Sequence, residues 1–258
     1  MFLLALVVAC GPVHAGGKGL GPMDPGAPTY LCKRAIGPIT VDGKLDEDSW
    51  EKAESAGPFV FPWPQQTGDK QRTTVKLLWD DEALYVGYTC SDADVTAVLE
   101  QRDDPTYKDD CVEIFINPAP GRSLFYYGCE MNARGVMYDY LMAWPTCLLQ
   151  QFDLQGFELA TDIAGTLDDS SDKDEEWTLE VKIPFKNLDG LAPKFPPDDG
   201  VRWRIQMNRW DGTGDKRVLS EWTPSGKKVP DPHRPAGFGI LEFSEEEVGK
   251  TEAPPSAH

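Results

Sequence analysis

Alternation of apolar and polar side chains is the strongest regularity in the chain. Val201, Trp203, Ile205 and Met207 alternate with Arg202, Arg204, Gln206 and Asn208. A period of two puts the first set on one face of a strand and the hydrogen-bonding set on the other. Trp177, Leu179, Val181 and Ile183 alternate in the same way with Thr178, Glu180 and Lys182. Pro184, which has no N–H, closes that ladder. Val75, Leu77 and Trp79 run into Asp80-Asp81-Glu82 and emerge as Leu84-Tyr85-Val86, which predicts a hairpin. A second hairpin is predicted around Pro118-Ala119-Pro120-Gly121-Arg122. In it Val112, Ile114 and Ile116 share a face with Tyr127, Cys129 and Met131, leaving Cys111, Glu113 and Glu130 on the other. Further strands are expected at 30–35, 39–42, 157–163 and 238–243. Helix is scarce: two turns at 46–53 with Asp46 as N-cap, and one turn at 185–188.

About ten short strands with polar turns and no long crossover helix predict an all-β fold, namely a two-sheet antiparallel β-sandwich of jelly-roll type with one or two short helices. The chain divides into a leader at 1–15, a Gly/Pro-rich linker at 16–28, the sandwich at 29–243 and an acidic, disordered tail at 244–258. Phe2 to Ala9 form an apolar run followed by Cys10 and Val13-His14-Ala15, which reads as a signal peptide. Val7-Val8-Ala9-Cys10 also reads as a lipobox that would place a lipid anchor on Cys10. Either reading puts the domain outside the cytoplasm, secreted or periplasmic. A buried N-terminal strand is the alternative. No later run reaches the ~18 apolar residues of a spanning helix, so no transmembrane helix is expected in the mature chain.

Charge narrows the partners. Among 258 residues, 43 acidic against 25 basic side chains leave a net charge of −18, whereas a nucleic-acid surface needs clustered Lys and Arg. Without Cys10 the cysteines are Cys32, Cys90, Cys111, Cys129 and Cys147, an odd number, and no Cys-x-x-Cys supports a zinc site. Cys111 and Cys129 fall on opposite faces of the predicted hairpin, so they are expected not to be bonded.

Catalytic signatures are sparse. His233 is the one histidine outside the leader and tail, and no Gly-x-Ser-x-Gly or Walker loop is present. Carboxylates are plentiful: Asp103, Asp104, Asp109, Asp110, Glu113 and Glu130 cluster around one hairpin. A glycosidase would need two of them flanking a bond at ~5–5.5 Å or ~6.5–9.5 Å. Calcium is a second use, through Asp92 and Asp94 or through Asp103 with Asp109 and Asp110, although no EF-hand spacing is present. Haem held by Met131, Met137 or Met142 with His233 is a third, without a Cys-x-x-Cys-His attachment.

More specific are Gly37-Pro38-Ile39-Thr40-Val41-Asp42-Gly43-Lys44-Leu45-Asp46-Glu47-Asp48-Ser49-Trp50, Leu78-Trp79-Asp80-Asp81-Glu82-Ala83-Leu84-Tyr85-Val86, and Asp110-Cys111-Val112-Glu113-Ile114-Phe115-Ile116-Asn117-Pro118. With Glu130-Met131-Asn132, Trp177 to Pro184, His233-Arg234-Pro235 and Phe238-Gly239, their order resembles family 9-like carbohydrate-binding modules from about Tyr30 to Phe243. The resemblance implies a β-sandwich that binds sugar without hydrolysing it, needs no cofactor beyond structural calcium, and works beside polysaccharide-degrading enzymes. It also implies two rings clamping a sugar. Tyr107 stands where one ring is expected, while Pro232-His233-Arg234 stand where the second would be.

A sugar is held by an aromatic face against its C–H surface and by polar groups on its hydroxyls. On the polar face, Glu113, Glu130 and Asn132 can meet across the hairpin, and Asn208 and Trp210 extend the row. Arg102 is a candidate sugar ligand or a structural partner of Asp103 or Asp110. His233 and the loop aromatics Trp222 and Trp144 complete the candidates. Trp79, Trp177 and Trp203 sit on apolar faces and are expected in the core.

Overall fold

In the computed structural model, which describes residues 23–121, 125–143, 147–192, 194–229 and 231–250, the alternation at 201–208 becomes strand β10 (Arg202–Asp211). Trp203, Ile205 and Met207 enter the main core, while Arg204, Gln206 and Asn208 line the opposite face. Before β10 in the chain come β1 (Thr29–Arg34), helix α1 (Asp48–Lys52), β2 (Thr73–Trp79), β3 (Ala83–Ser91), β4 (Cys111–Asn117), β5 (Phe125–Asn132), β6 (Met137–Ala143), β7 (Cys147–Leu149), β8 (Glu158–Ala164) and β9 (Glu176–Pro184). After it come β11 (Val218–Glu221) and β12 (Gly239–Glu247). Strands β6, β7 and β11 and part of β12 were not predicted.

The fold is all-β, but the expectation of two antiparallel sheets is corrected. Hydrogen bonds run through one mixed sheet in the order β7-β6-β5-β4-β10-β12-β1-β2-β3-β9-β8, with β11 added to β10. The reason lies in β1, which enters between β12 and β2 and is parallel to both. Parallel neighbours need long connections, and the segment carrying α1 supplies one of them. The sheet curls so that strands distant in this order share one core: Val86 and Tyr88 of β3, with Leu179 of the neighbouring β9, belong to the same cluster as Val112 and Ile114 of β4. Tyr88 Oη donates to Glu113 O at 2.8 Å and ties the two sides together.

Trp79, Trp177 and Trp203 are buried as expected. The 118–122 hairpin register pairs Val112 with Met131, Ile114 with Cys129 and Ile116 with Tyr127. Cys111 and Cys129 are accordingly unbonded, and Cys32, Cys90, Cys111 and Cys129 are buried free thiols.

Residues 39–42 form no strand. Instead Asp42 N and Gly43 N donate to Glu180 Oε2 at 3.1 and 3.3 Å, and Trp50 Nε1 donates to Glu180 Oε1 at 2.8 Å. The Asp-Gly turn and the α1 tryptophan are thus pinned to β9 by one carboxylate. Gly43 has φ +89°, and a Cβ there would sit 2.6 Å from Thr161 C, so this turn requires glycine. The residue preceding α1 is Glu47, not Asp46, and its Oε1 accepts from Thr40 N at 2.8 Å rather than capping the helix. At the other end β12 passes the expected Ser244 boundary. Lys33 pairs with Glu246 and Arg34 with Glu245, and Val248 is buried against the Trp50 cluster. The leader, including Cys10, lies outside the described residues.

Candidate functional site

The polar face of β10 continues across β4, β5 and β6 in two registered rows. In the first, Tyr138, Glu130, Glu113, Asn208 and Glu221 are successive cross-strand partners from β6 to β11. In the second, Tyr140, Gly128, Phe115 and Gln206 follow one another. Gly128 is the gap that makes the arrangement work, because the Tyr140 ring crosses directly over it: a Cβ there would lie 2.3 Å from Tyr140 Cζ. The crossing carries Tyr140 Oη to Glu130 Oε1 at 2.8 Å.

Hydrogen bonds chain the first row together. Asn208 Nδ2 donates to Glu113 Oε2, and Trp210 Nε1 to Glu113 Oε1, both at 2.9 Å. Gln206 Nε2 donates to Asn208 Oδ1 at 2.9 Å. Glu113 is 2% exposed and Glu130 3%. Burial pushes the Glu113 carboxyl up to about 7 against the pull of its Asn208 and Trp210 donors. Burial and then the Glu113 charge push Glu130 well above the carboxylate range. Among the described residues, Glu130 Oε2 and Glu221 Oε1 are buried without a partner. Over the row lie half-buried rings: Tyr107 packs on Tyr138 at 6.3 Å, and the Arg217 guanidinium sits 4.5 Å from the Trp210 ring centre and 5.9 Å from that of Tyr107. The face therefore offers aromatic surface beside acceptor oxygens without donors, an arrangement suited to a ligand rich in hydroxyl groups.

Residues 41–245 match the family model for carbohydrate family 9 binding domain-like proteins. The chain belongs to that family. The family 9-like domain is 25% identical over 215 residues to exoglucanase XynX of Acetivibrio thermocellus, covering 83% of this chain and 17% of that enzyme. It resembles a family 9 carbohydrate-binding module from Caldicellulosiruptor kristjanssonii solved with cellotriose, at TM-score 0.59, 18% identity and coverage of 88% of this chain and all of that one. A Bacteroides uniformis protein whose carbohydrate binding is inferred aligns at TM-score 0.68 and 20% identity, covering 84% of this chain and all of that one. The match to XynX is confined to about a sixth of that enzyme, and the family 9-like domain is a non-catalytic carbohydrate-binding module.

Other candidates are placed elsewhere. Arg102 grips Asp139 and lies 4.9 Å from the Phe157 ring centre, so it serves the ion-pair role. Asn132 spends its amide within the protein: Nδ2 donates to Leu99 O and Asp109 Oδ2 at 2.9 Å, and Oδ1 accepts from Val136 N at 2.9 Å. It therefore does not join Glu113 and Glu130. Trp222 covers Gly239, where a Cβ would meet its ring at 2.3 Å, and it packs against the core. His233 reaches the site face, stacked on Phe115 at 5.0 Å and 14° with Nδ1 2.7 Å from Tyr126 Oη. Burial lowers its imidazole pKa. Met131 and Met137 lie in the main core, on the face opposite His233, whereas Met142 packs against the aromatic cluster that includes Phe115, on which His233 stacks. Trp144 lies outside the described residues.

The acidic residues considered for calcium are split among networks. Asp92 gathers with Asp110 and Asp211, not with the exposed Asp94. Arg209 donates to Asp92 Oδ2 at 2.7 Å and to Asp211 Oδ1 at 2.5 Å. Gln71, Trp177 and the Asp94 N–H take the rest of Asp92, while Thr96 N and Gly212 N take Asp110. The Arg209 guanidinium supplies a cationic partner to Asp92 and Asp211. Asp103 instead joins Asp139 and Asp153 around Arg102.

Tyr138, Tyr140, Arg217 and Glu221 belong to the face but escaped the sequence analysis, which placed Gln206 on the polar row without naming it as a ligand. The period of two in β6 could have placed both tyrosines beside Glu130. Arg217 comes from an irregular turn and carries no such signal.

Proposed function

We propose that this domain is exported and captures a neutral saccharide on the β5-β4-β10 face, in support of polysaccharide breakdown by partner enzymes. The observation that carries the reading is the row Glu130-Glu113-Asn208-Glu221, whose unpartnered Glu130 and Glu221 oxygens lie in a face bordered by the half-buried rings of Tyr107 and Trp210. Sugar hydroxyls donate and accept, and sugar C–H faces pack on rings. Acidic glycans are disfavoured by the carboxylates and by the net charge of −18. The related module crystallised with cellotriose and the matching segment of an exoglucanase support a β-glucan or xylan chain as ligand class. The two sides of the curled sheet act as the leaves of a sandwich, one of which carries the site. The reading calls for no cofactor.

Isothermal titration with glucose, cellotriose and xylo-oligosaccharides tests it. At least one is expected to bind, and Tyr107→Ala to weaken that binding on the order of tenfold through loss of ring contact. Absence of binding to every sugar would overturn the reading.

A further inference from the structure

Arg217 lies over both of the rings that border the polar row. Its guanidinium carbon is 4.5 Å from the Trp210 ring centre and 5.9 Å from that of Tyr107. A cation is drawn to an aromatic face by the negative potential of the ring, and the C–H surface of a sugar packs on that same face. Guanidinium and sugar therefore compete for one surface. Other arginines of this acidic chain rest on carboxylates: Arg102 on Asp139, and Arg209 on Asp92 and Asp211. Arg217 does not. Its charge reaches Glu113 and favours the ionised carboxyl there, yet among the described residues it makes no ion pair, and its Nη1 donates to Tyr107 O.

The rings are fixed and the arginine is the part that can move. Trp210 Nε1 donates to Glu113 Oε1 at 2.9 Å, so the indole cannot turn away without depriving a buried carboxyl of a donor. Tyr107 stands in the turn Thr106–Lys108, which is tied to β5 where Thr106 Oγ1 donates to Glu130 O at 3.0 Å. The backbone of Arg217 is also anchored, because the next residue, Val218, pairs with Asp211 across the β10–β11 hairpin. Residues 213–216, just before it, are exposed. A rotation of the long side chain toward that turn takes the guanidinium into water and leaves both ring faces open. We propose that Arg217 is a gate on the aromatic part of the site, resting over Tyr107 and Trp210 until a sugar ring displaces it. The proposal rests on the saccharide-capture reading above. Its consequence is weaker binding, since a site that is open for only a fraction of the time loses affinity by that fraction.

The test is titration calorimetry on the full chain with glucose, cellotriose and xylo-oligosaccharides, comparing wild type with Arg217→Ala and Arg217→Gln. Arg217→Gln keeps part of the side-chain stem in place should the alanine variant pack poorly, and near-ultraviolet circular dichroism verifies that each is folded. Both are expected to bind the sugar taken by wild type more tightly, by roughly three- to tenfold, the range that a cation–π closure of ordinary strength implies. A crystal of the sugar complex is expected to show a sugar ring over Trp210 or Tyr107 and the guanidinium moved away. Unchanged or weaker binding in either folded variant would overturn the gate and leave saccharide capture intact, as would a bound sugar with the guanidinium still over both rings. Binding by the variants alone would support both readings. Failure of wild type and variants alike to bind any of these sugars would overturn both.

Discussion

Glu130 and Glu180 are both buried carboxylates in strands, and their hydrogen bonds give them opposite roles. Glu180 has both oxygens filled by three N–H donors and joins the Asp42-Gly43 turn and Trp50 to β9. Glu130 has one oxygen on Tyr140 and the other unpartnered. Truncation at Glu180 leaves three donors unmet, so Glu180→Ala is expected to cost on the order of 2–4 kcal/mol in urea denaturation. Glu130→Gln, by contrast, removes a carboxyl that burial already disfavours as an anion. It is expected to keep or raise the urea midpoint while weakening sugar binding. A fall in stability equal to that of Glu180→Ala would assign Glu130 to the scaffold. Nothing in the linear neighbourhoods of these two residues separates them, since both alternate with apolar residues. The difference arises from which loop reaches each one.

At the scale of elements, the alternation settles which side chains share a face, and it does so correctly for β4, β5, β9 and β10. It places Glu113 opposite Glu130 and keeps Cys111 from Cys129 before any coordinates are known. It is silent on the order of strands. The parallel insertion of β1 depends on contacts with β12 and β2, which are remote in sequence, and a period of two cannot distinguish parallel from antiparallel neighbours. Loops that approach the face, such as the one bearing His233, have no period at all. Gly128 shows how a single position couples elements. Its missing side chain lets Tyr140 of β6 cross β5 to reach Glu130. Gly128→Ala is therefore expected to displace that ring. Thermal melting would register a destabilisation of roughly 1–3 kcal/mol, typical of overpacking, and sugar titration a parallel loss of affinity. An unchanged melt would show that the ring has room to move.

For the molecule as a whole, buried acid dominates the response to pH. Burial raises Asp110, Glu113, Glu180 and Glu221 each to about 7, well above the carboxylate values of an unfolded chain. Between roughly pH 4.5 and 7 the folded protein consequently holds protons that the unfolded chain has released. Stability must then fall as pH rises through this window and be fully regained only below the unfolded values. His233 works in the other direction. Its pKa is lowered by burial, so below roughly pH 6.5 the unfolded chain binds the extra proton and stability is lost as pH falls. Asp231, lowered by Lys227 and by the His233 N–H against the upward push of burial, opposes the trend only below the ordinary carboxylate range. These four carboxylates, with Glu130 also raised, outweigh one imidazole and decide the sign. The midpoint of thermal unfolding is expected to be higher at about pH 5.5 than at about pH 8.5, and self-repulsion among the charges behind the net −18 adds to the loss at the alkaline end. Salt separates the two contributions, because it screens exposed charges and leaves buried ones nearly untouched. Most of the difference between the two pH values should survive in about 0.5 M sodium chloride. A difference that vanished there would transfer the effect from the buried carboxylates to the surface.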